Sequence, residues 1–179
     1  DMDRFSASPT RETPDNVMDL NHIAVSGIGL EADKVRFNPN WNFEGKLNHF
    51  AATEQSGFAI THIASNSLVV NDTLTALCGA TIQLPGSTLG DTILFHYSKF
   101  GDFKHFNNDV AFDIRLKPGS ALQLHDLAPF KKSLAENSFF GKNTNLNIEI
   151  AGQIKGKVNR LDGRNIVAKI GNNTFLDFD

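Results

Sequence analysis

The sequence predicts an all-β protein with one short helix, and three observations carry the prediction. Apolar and polar residues alternate with period two in segment after segment, most cleanly in Val110-Ala-Phe-Asp-Ile-Arg-Leu-Lys117 and Asn145-Leu-Asn-Ile-Glu-Ile-Ala151. Gly, Asn and Pro turn signals interrupt that alternation every ~10–15 residues, an all-β rhythm. A single stretch, His125 to Ala135, offers helical spacing instead.

The elements follow in order. Residues 1–20 are polar, contain Pro9 and Pro14 and show no periodicity, so they read as a linker ahead of a β segment spanning 21–179. His22 to Ser26 is a strand, which Gly27 and Gly29 extend as a bulge or a close backbone approach. Lys34 to Phe37 alternates and stops at Asn38-Pro39-Asn40. Trp41 to Phe43 leads to a turn at Glu44-Gly45, Lys46 to Ala51 follows, and Glu54 to Gly57 turns again. Phe58 to Ile63, Ser67 to Val70 and Leu74 to Leu84 are strands, the last ended by Pro85-Gly86. Asp91 to Tyr97 is another, before a Gly- and Asn-bearing loop from Lys99 to Asp109.

In the next strand Val110, Phe112, Ile114 and Leu116 point one way, and Ala111, Asp113, Arg115 and Lys117 the other, which gives a dry and a wet face. Pro118-Gly119 closes it. His125 to Ala135 carries Asp126 as N-cap, Pro129 within the first turn, and Leu127, Phe130 and Leu134 on one face. That helix is expected to plug one end of the sheet. A loop at 141–144 precedes Asn145 to Ala151 and its continuation Gln153 to Val158. Asp162-Gly163 is the strongest hairpin signal in the chain, with Asn165 to Ile170 as the return strand. Phe175 to Asp179 begins a further strand, and both chain ends read as cut points of a longer protein. The total is about a dozen short strands with no repeat of fixed length.

Composition narrows the function. Hydrophobic residues make up 40% of the 179, slightly under the usual globular share, so the interior is not thick. The 17 Lys and Arg are scattered and the net charge is -3, which offers no basic patch for nucleic acid or anionic head groups. No apolar run approaches the ~20 residues of a spanning helix. Cys78 is the one cysteine, unable to form an internal disulfide or a Cys-based zinc site, and its apolar surroundings predict a buried structural thiol. Fifteen Phe stand against one Trp and one Tyr. Tyr and Trp carry a polar handle for recognition and Phe does not, so this set lines something dry, either a core or a groove.

Catalytic and metal patterns are missing from the sequence. No two of the six histidines have the spacing of a helical zinc site. His96 and His105 flank a loop and could meet across a hairpin, but alternating strands place polar residues on wet faces in any case. Asp102, Asn107, Asn108 and Asp109 lack the spacing of an EF-hand loop and read as turn residues. Asp109 and Asp113 on one strand would lie about 13 Å apart, too far for a retaining glycosidase pair. There is no Gly-x-Ser-x-Gly elbow and no phosphate loop. The expectation is a protein that is not an enzyme and holds no cofactor or metal.

Several segments carry a family likeness. Asn21-His-Ile-Ala-Val-Ser-Gly-Ile-Gly-Leu30 followed by Asp33-Lys-Val-Arg-Phe37, Glu54-Gln-Ser-Gly-Phe-Ala-Ile60, Leu124-His-Asp-Leu-Ala-Pro-Phe130, and Ile154-Lys-Gly-Lys-Val-Asn-Arg-Leu-Asp-Gly-Arg-Asn-Ile166 with Gly171-Asn-Asn-Thr-Phe175 occur in order. Together they resemble the TamB-like proteins of Bacteroidetes, within the AsmA-like superfamily, over about 21–179. The resemblance implies a periplasmic segment of a long envelope protein, anchored in the inner membrane by parts outside this chain. It implies an antiparallel sheet curled into a U-shaped groove, the β-taco, with an apolar interior. It implies two roles: assembly of outer-membrane proteins with a TamA-type partner, and phospholipid transport between inner and outer membranes. No catalytic residues carry over.

On that reading Phe112, Ile114, Leu116, Leu146, Ile148 and Ile150 line a hydrophobic groove that takes phospholipid acyl chains, with head groups left in water. Periodicity alone leaves a closed β-sandwich open, since any sandwich core needs the same residues. The matching alternative function is a β-sandwich interaction or carbohydrate-binding module of the cell envelope, against which the scarcity of Tyr and Trp counts.

Overall fold

The computed structural model describes residues 25–38, 42–130, 138, 142–143, 145–171 and 174–178. The 1–20 linker, the first residues of the first strand, Trp41 and most of 131–141 lie outside the described residues.

Ten strands form one antiparallel sheet. They are β1 (Val25–Asn38), β2 (Asn42–Glu54), β3 (Ala59–Val70), β4 (Leu74–Gln83), β5 (Thr88–Leu89), β6 (Asp91–His96), β7 (Ala111–Gln123), β8 (Asn147–Lys157), β9 (Arg160–Ile170) and β10 (Thr174–Phe178). Each pairs with its sequence neighbours in a meander, except that β5 and β6 share the lane between β4 and β7. Gly90 separates those two short strands, and its amide and carbonyl bond the Ser120 hydroxyl on β7. No second sheet among the described residues faces this one, so the sandwich alternative is not what forms. β1 and β10 are edges and do not pair with one another, so the sheet is open, curled by bulges along β1–β2, β2–β3, β7–β8 and β8–β9.

The strands are fewer and longer than the turn signals imply, because two expected turns are bulges inside continuous strands. Glu44-Gly45 lies within β2, and Pro118-Gly119 lies within β7, where the ladder to β8 shifts between Leu116 and Ser120. A proline lacks the amide that a ladder needs, and a bulge is where that lack is tolerated. Gly27, with φ +62, sits at the Ser26/Gly29 shift of β1, as its sequence context implied. The turn from Glu54 to Gly57 also stands, with Gly57 at φ +93.

Four expectations need correction. The hairpin between β8 and β9 turns at Val158-Asn159, and Asp162-Gly163 lies inside β9. With that turn Lys155 faces Asp162, an opposite-charge pair, and Ile154 faces Gly163. The 99–109 loop is instead a 3-10 turn at Phe100–His105 running into a one-turn helix α1 (Phe106–Asp109), which removes Asp109 from the β7 strand. The described part of the expected helix is a 3-10 turn, Leu124–Phe130, and Asp126 lies inside it. Its buried carboxylate accepts from the Gly86 amide and the Ser87 hydroxyl, tying the β4–β5 loop down rather than capping a helix. Finally, Cys78 is exposed. It pairs with exposed Ser67, next to Gly79 at φ +59, where β4 changes phase. Leu77 and Ala80, three residues apart across that glycine, both pack into the cluster of Leu47, Phe50, Ile63, Leu68 and Ile93. On an unbroken strand they would point to opposite faces.

Candidate functional site: an uncovered apolar face

Residues paired across neighbouring strands share a face, so the register can be read as rows crossing the sheet. One row is Leu68 (β3), Leu77 (β4), Ile93 (β6), Ile114 (β7) and Ile154 (β8), ending on Gly163 (β9). The next is Phe37, Phe43, Val70, Thr75, Phe95, Phe112, Gly156 and Leu161, from β1 to β9. Neither row contains a charge. From Leu68 to Ile154 the first spans four strand spacings, roughly 19 Å at ~4.8 Å each.

The six predicted lining residues all lie on or beside β7 and β8, and all are half-buried. They form two groups at different heights. Phe112, Ile114 and Leu116 face Gly156, Ile154 and Gly152, whereas Ile150 and Ile148 face Ser120 and Leu122 below the β7 bulge. Leu146 precedes β8 and its carbonyl accepts from the Leu124 amide. The two groups therefore extend one face but do not meet across the ladder. Ile154, Ile93, Leu77 and Leu68 complete the upper row and escaped the sequence reading. Ile154 was findable, since it keeps the even-numbered phase of Ile148 and Ile150 through Gly152. The others belong to strands whose register no local pattern reveals.

Glycine is required at two points of this face. Gly152 and Gly156 have φ +124 and +128, and a Cβ there would lie 2.5 Å from the Asn165 carbonyl oxygen and 2.1 Å from that of Arg160. They let β9 approach closely at the positions whose register partners on β7 are Phe112 and Leu116.

The face is incompletely covered. Among the described residues Val110, at 0% exposure, is the largest side chain wholly shielded, and the central residues of β7 and β8 keep partial access to solvent. One end is closed by an aromatic plug. Phe103 and Phe106, from the 100–109 segment, stack edge-on against Phe95, with ring centroids 6.5 and 6.1 Å away, and Phe103 also packs on Tyr97 at 4.9 Å. Tyr97 is buried, donates to the Asn71 carbonyl at 2.8 Å and bonds the Thr75 hydroxyl at 2.9 Å. Burial pushes its phenol above the ordinary 10.0, against the pull of the Thr75 bond. Asp102 holds the segment by accepting from the Ser98 and Lys99 amides, which is the turn role its sequence suggested. Lys157 and Asn159 bond Asn108 and fasten the plug to the β8–β9 turn. Residues 100–109 close this end; the plugging role expected of the helix at 125–135 falls largely on residues 131–135, which lie outside the described residues.

The opposite face is wet. Asp113 accepts from Gln153 at 2.6 Å and from Lys155 at 3.1 Å, with Arg115 at 3.8 Å. Burial alone would raise its pKa, but the Gln153 bond and the two cations outweigh it and hold the carboxyl below 3.8. A polar concavity of about 540 Å³ lies among Lys46, Asn48, Asn66, Thr81, Asp91 and Lys117, and includes none of the six predicted lining residues. No group of three His, Cys, Asp or Glu residues is gathered as a metal site among the described residues, and no helix there is long and apolar enough to cross a membrane. No family model, curated protein or solved structure matches the chain.

Proposed function

We propose that this chain is a periplasmic segment of a TamB-like protein, within the AsmA-like superfamily, whose apolar face is a groove for phospholipid acyl chains moving between inner and outer membranes. The motifs between Asn21 and Phe175 support the family. The observation that carries the mechanism is the row from Leu68 to Ile154, which has no charge and in which Leu77 is buried while Leu68, Ile93, Ile114 and Ile154 stay half-buried. Its length of roughly 19 Å exceeds the ~15 Å depth of one bilayer leaflet. An acyl chain laid along it would bury part of its methylenes at ~0.8 kcal/mol each, enough to leave water yet without a fixed register, so the chain can slide. The protein is not an enzyme on this reading and uses no cofactor.

Mass spectrometry of the purified protein tests the proposal: phospholipid should co-purify, and Ile114→Asp should abolish pick-up with circular dichroism unchanged. Equal lipid content in a folded Ile114→Asp protein would overturn the groove.

A second role, assembly of outer-membrane proteins with a TamA-type partner, draws on a different observation. Edge strand β1 exposes Leu30 at 65% along an outer side that no other described strand pairs, a template for an incoming strand. Against the carbohydrate-binding alternative stand the scarcity of Tyr and Trp and the lack of a second sheet among the described residues.

A further inference from the structure

We propose that His49 and His62 form a transition-metal site on the wet face, completed by Glu31 and water, that staples edge strand β1 to β2 and β3. The two Nδ1 atoms lie 2.7 Å apart and the rings stack with centroids 5.0 Å apart and planes 29° from parallel. Both side chains are half-buried, on neighbouring strands. Without a metal the pair holds only if one Nδ1–H donates to the bare Nδ1 of the other, which fixes opposite tautomers. A cation satisfies both nitrogens at once. At ~2.05 Å from each and a tetrahedral angle the nitrogens would stand roughly 3.3 Å apart, so the rings need to part by about 0.6 Å and to turn until both in-plane lone pairs converge on the ion.

Two further features favour a guest at this point. Glu31 is the register partner of His49, so its exposed carboxylate stands on the same face, free to swing in. Gly29 leaves the His49 ring uncrowded: a Cβ there would already touch Nε2 at 3.6 Å, and a longer side chain would cover it. Two imidazoles and a carboxylate are borderline donors, suited to Zn²⁺, Co²⁺, Ni²⁺ or Cu²⁺ rather than Ca²⁺ or Mg²⁺. The three ligands are not preassembled, so Glu31 closes on the metal as it binds.

Titration of tag-free protein with Co²⁺ should give visible ligand-field bands that saturate at one equivalent. His49→Gln or His62→Gln should weaken binding by more than about tenfold, since even outer-shell losses cost about 10–100-fold. Glu31→Gln should weaken it less, and His125→Ala, at an exposed remote histidine, should not change it. In the unmutated protein, Zn²⁺ should shift the Nδ1 resonances of His49 and His62 in ¹⁵N spectra. Absence of bands at millimolar Co²⁺, or saturation with both Nδ1 resonances unmoved, would overturn the site and leave a plain imidazole hydrogen bond.

Discussion

At the scale of single residues, the glycines and one buried carboxylate set the tolerances. Gly156→Ala puts a methyl onto the Arg160 carbonyl and forces φ +128 on a residue with a Cβ. It should cost at least about 2 kcal/mol in urea unfolding, within the range of ~1–3 kcal/mol for such backbone strain plus the clash. Gly57→Ala, at φ +93 with nothing within 4 Å, should cost only about 1 kcal/mol. Equal costs at the two sites would contradict the close approach of β9. Asp113 sets an acid limit. Its folded pKa is lower than its unfolded value, so the stability it contributes is fully present above the unfolded value and is lost as pH falls through the folded one. Asp113→Asn should therefore be less stable than wild type near neutrality, with the gap shrinking below pH 3.8. A gap that widened in acid would show that the Lys155 and Gln153 contacts do not hold the charge. Cys78 shows the limit of residue-scale inference: its apolar neighbours predict burial, but it follows inward Leu77 in the strand and so falls on the opposite, exposed face.

At the scale of elements, the plug is the most consequential feature. Phe95, Tyr97, Phe103 and Phe106 form an aromatic cluster at one end of the dry face, built from β6, the residue that follows it and the 100–109 segment. Phe103→Ala should lower stability by about 2–3 kcal/mol, somewhat under the usual cost of a fully buried Phe because Phe103 is half-buried. It should also collapse the near-UV dichroism of Tyr97; an unchanged signal would mean that the ring contacts do not order the segment. The sequence hides this element because Phe100, Phe103 and Phe106 recur every three residues, while Gly101, Asn107 and Asn108 signal a loop. Six residues at a 3-10 spacing are too short for a helical period to stand out.

At the scale of the molecule, a single open sheet must manage its edges. β1 is broken by three register shifts and carries Lys34 at φ +52, both of which hinder further pairing, yet Ile28, Leu30, Val35 and Phe37 remain exposed along it. Ile28→Lys with Val35→Lys, at exposed β1 positions outside both apolar rows, should reduce any concentration-dependent association in sedimentation velocity while leaving lipid pick-up on the β7–β8 rows intact. Loss of lipid in that double variant would place the groove at the edge instead. One face dry and the other wet is a property of the whole sheet: the wet side matches Arg36 with Glu44 and Lys155 with both Asp113 and Asp162 across its ladders.

By itself the sequence determined the fold class, most strand positions and the split of β7 into a dry and a wet side, because period-two alternation is written into consecutive residues and needs no partner to be read. It also determined that Phe112, Ile114 and Leu116 belong to the apolar side. Only the tertiary structure decided that Ile114 stands between Ile93 and Ile154, that the chain turns at Val158-Asn159 rather than at Asp162-Gly163, and that the ten described strands make one sheet with no second sheet among the described residues. Register and strand phase are settled between strands, by glycines such as Gly79, Gly152 and Gly156 and by the bulges they permit, and the residues that decide them lie up to dozens of positions from the residues they move.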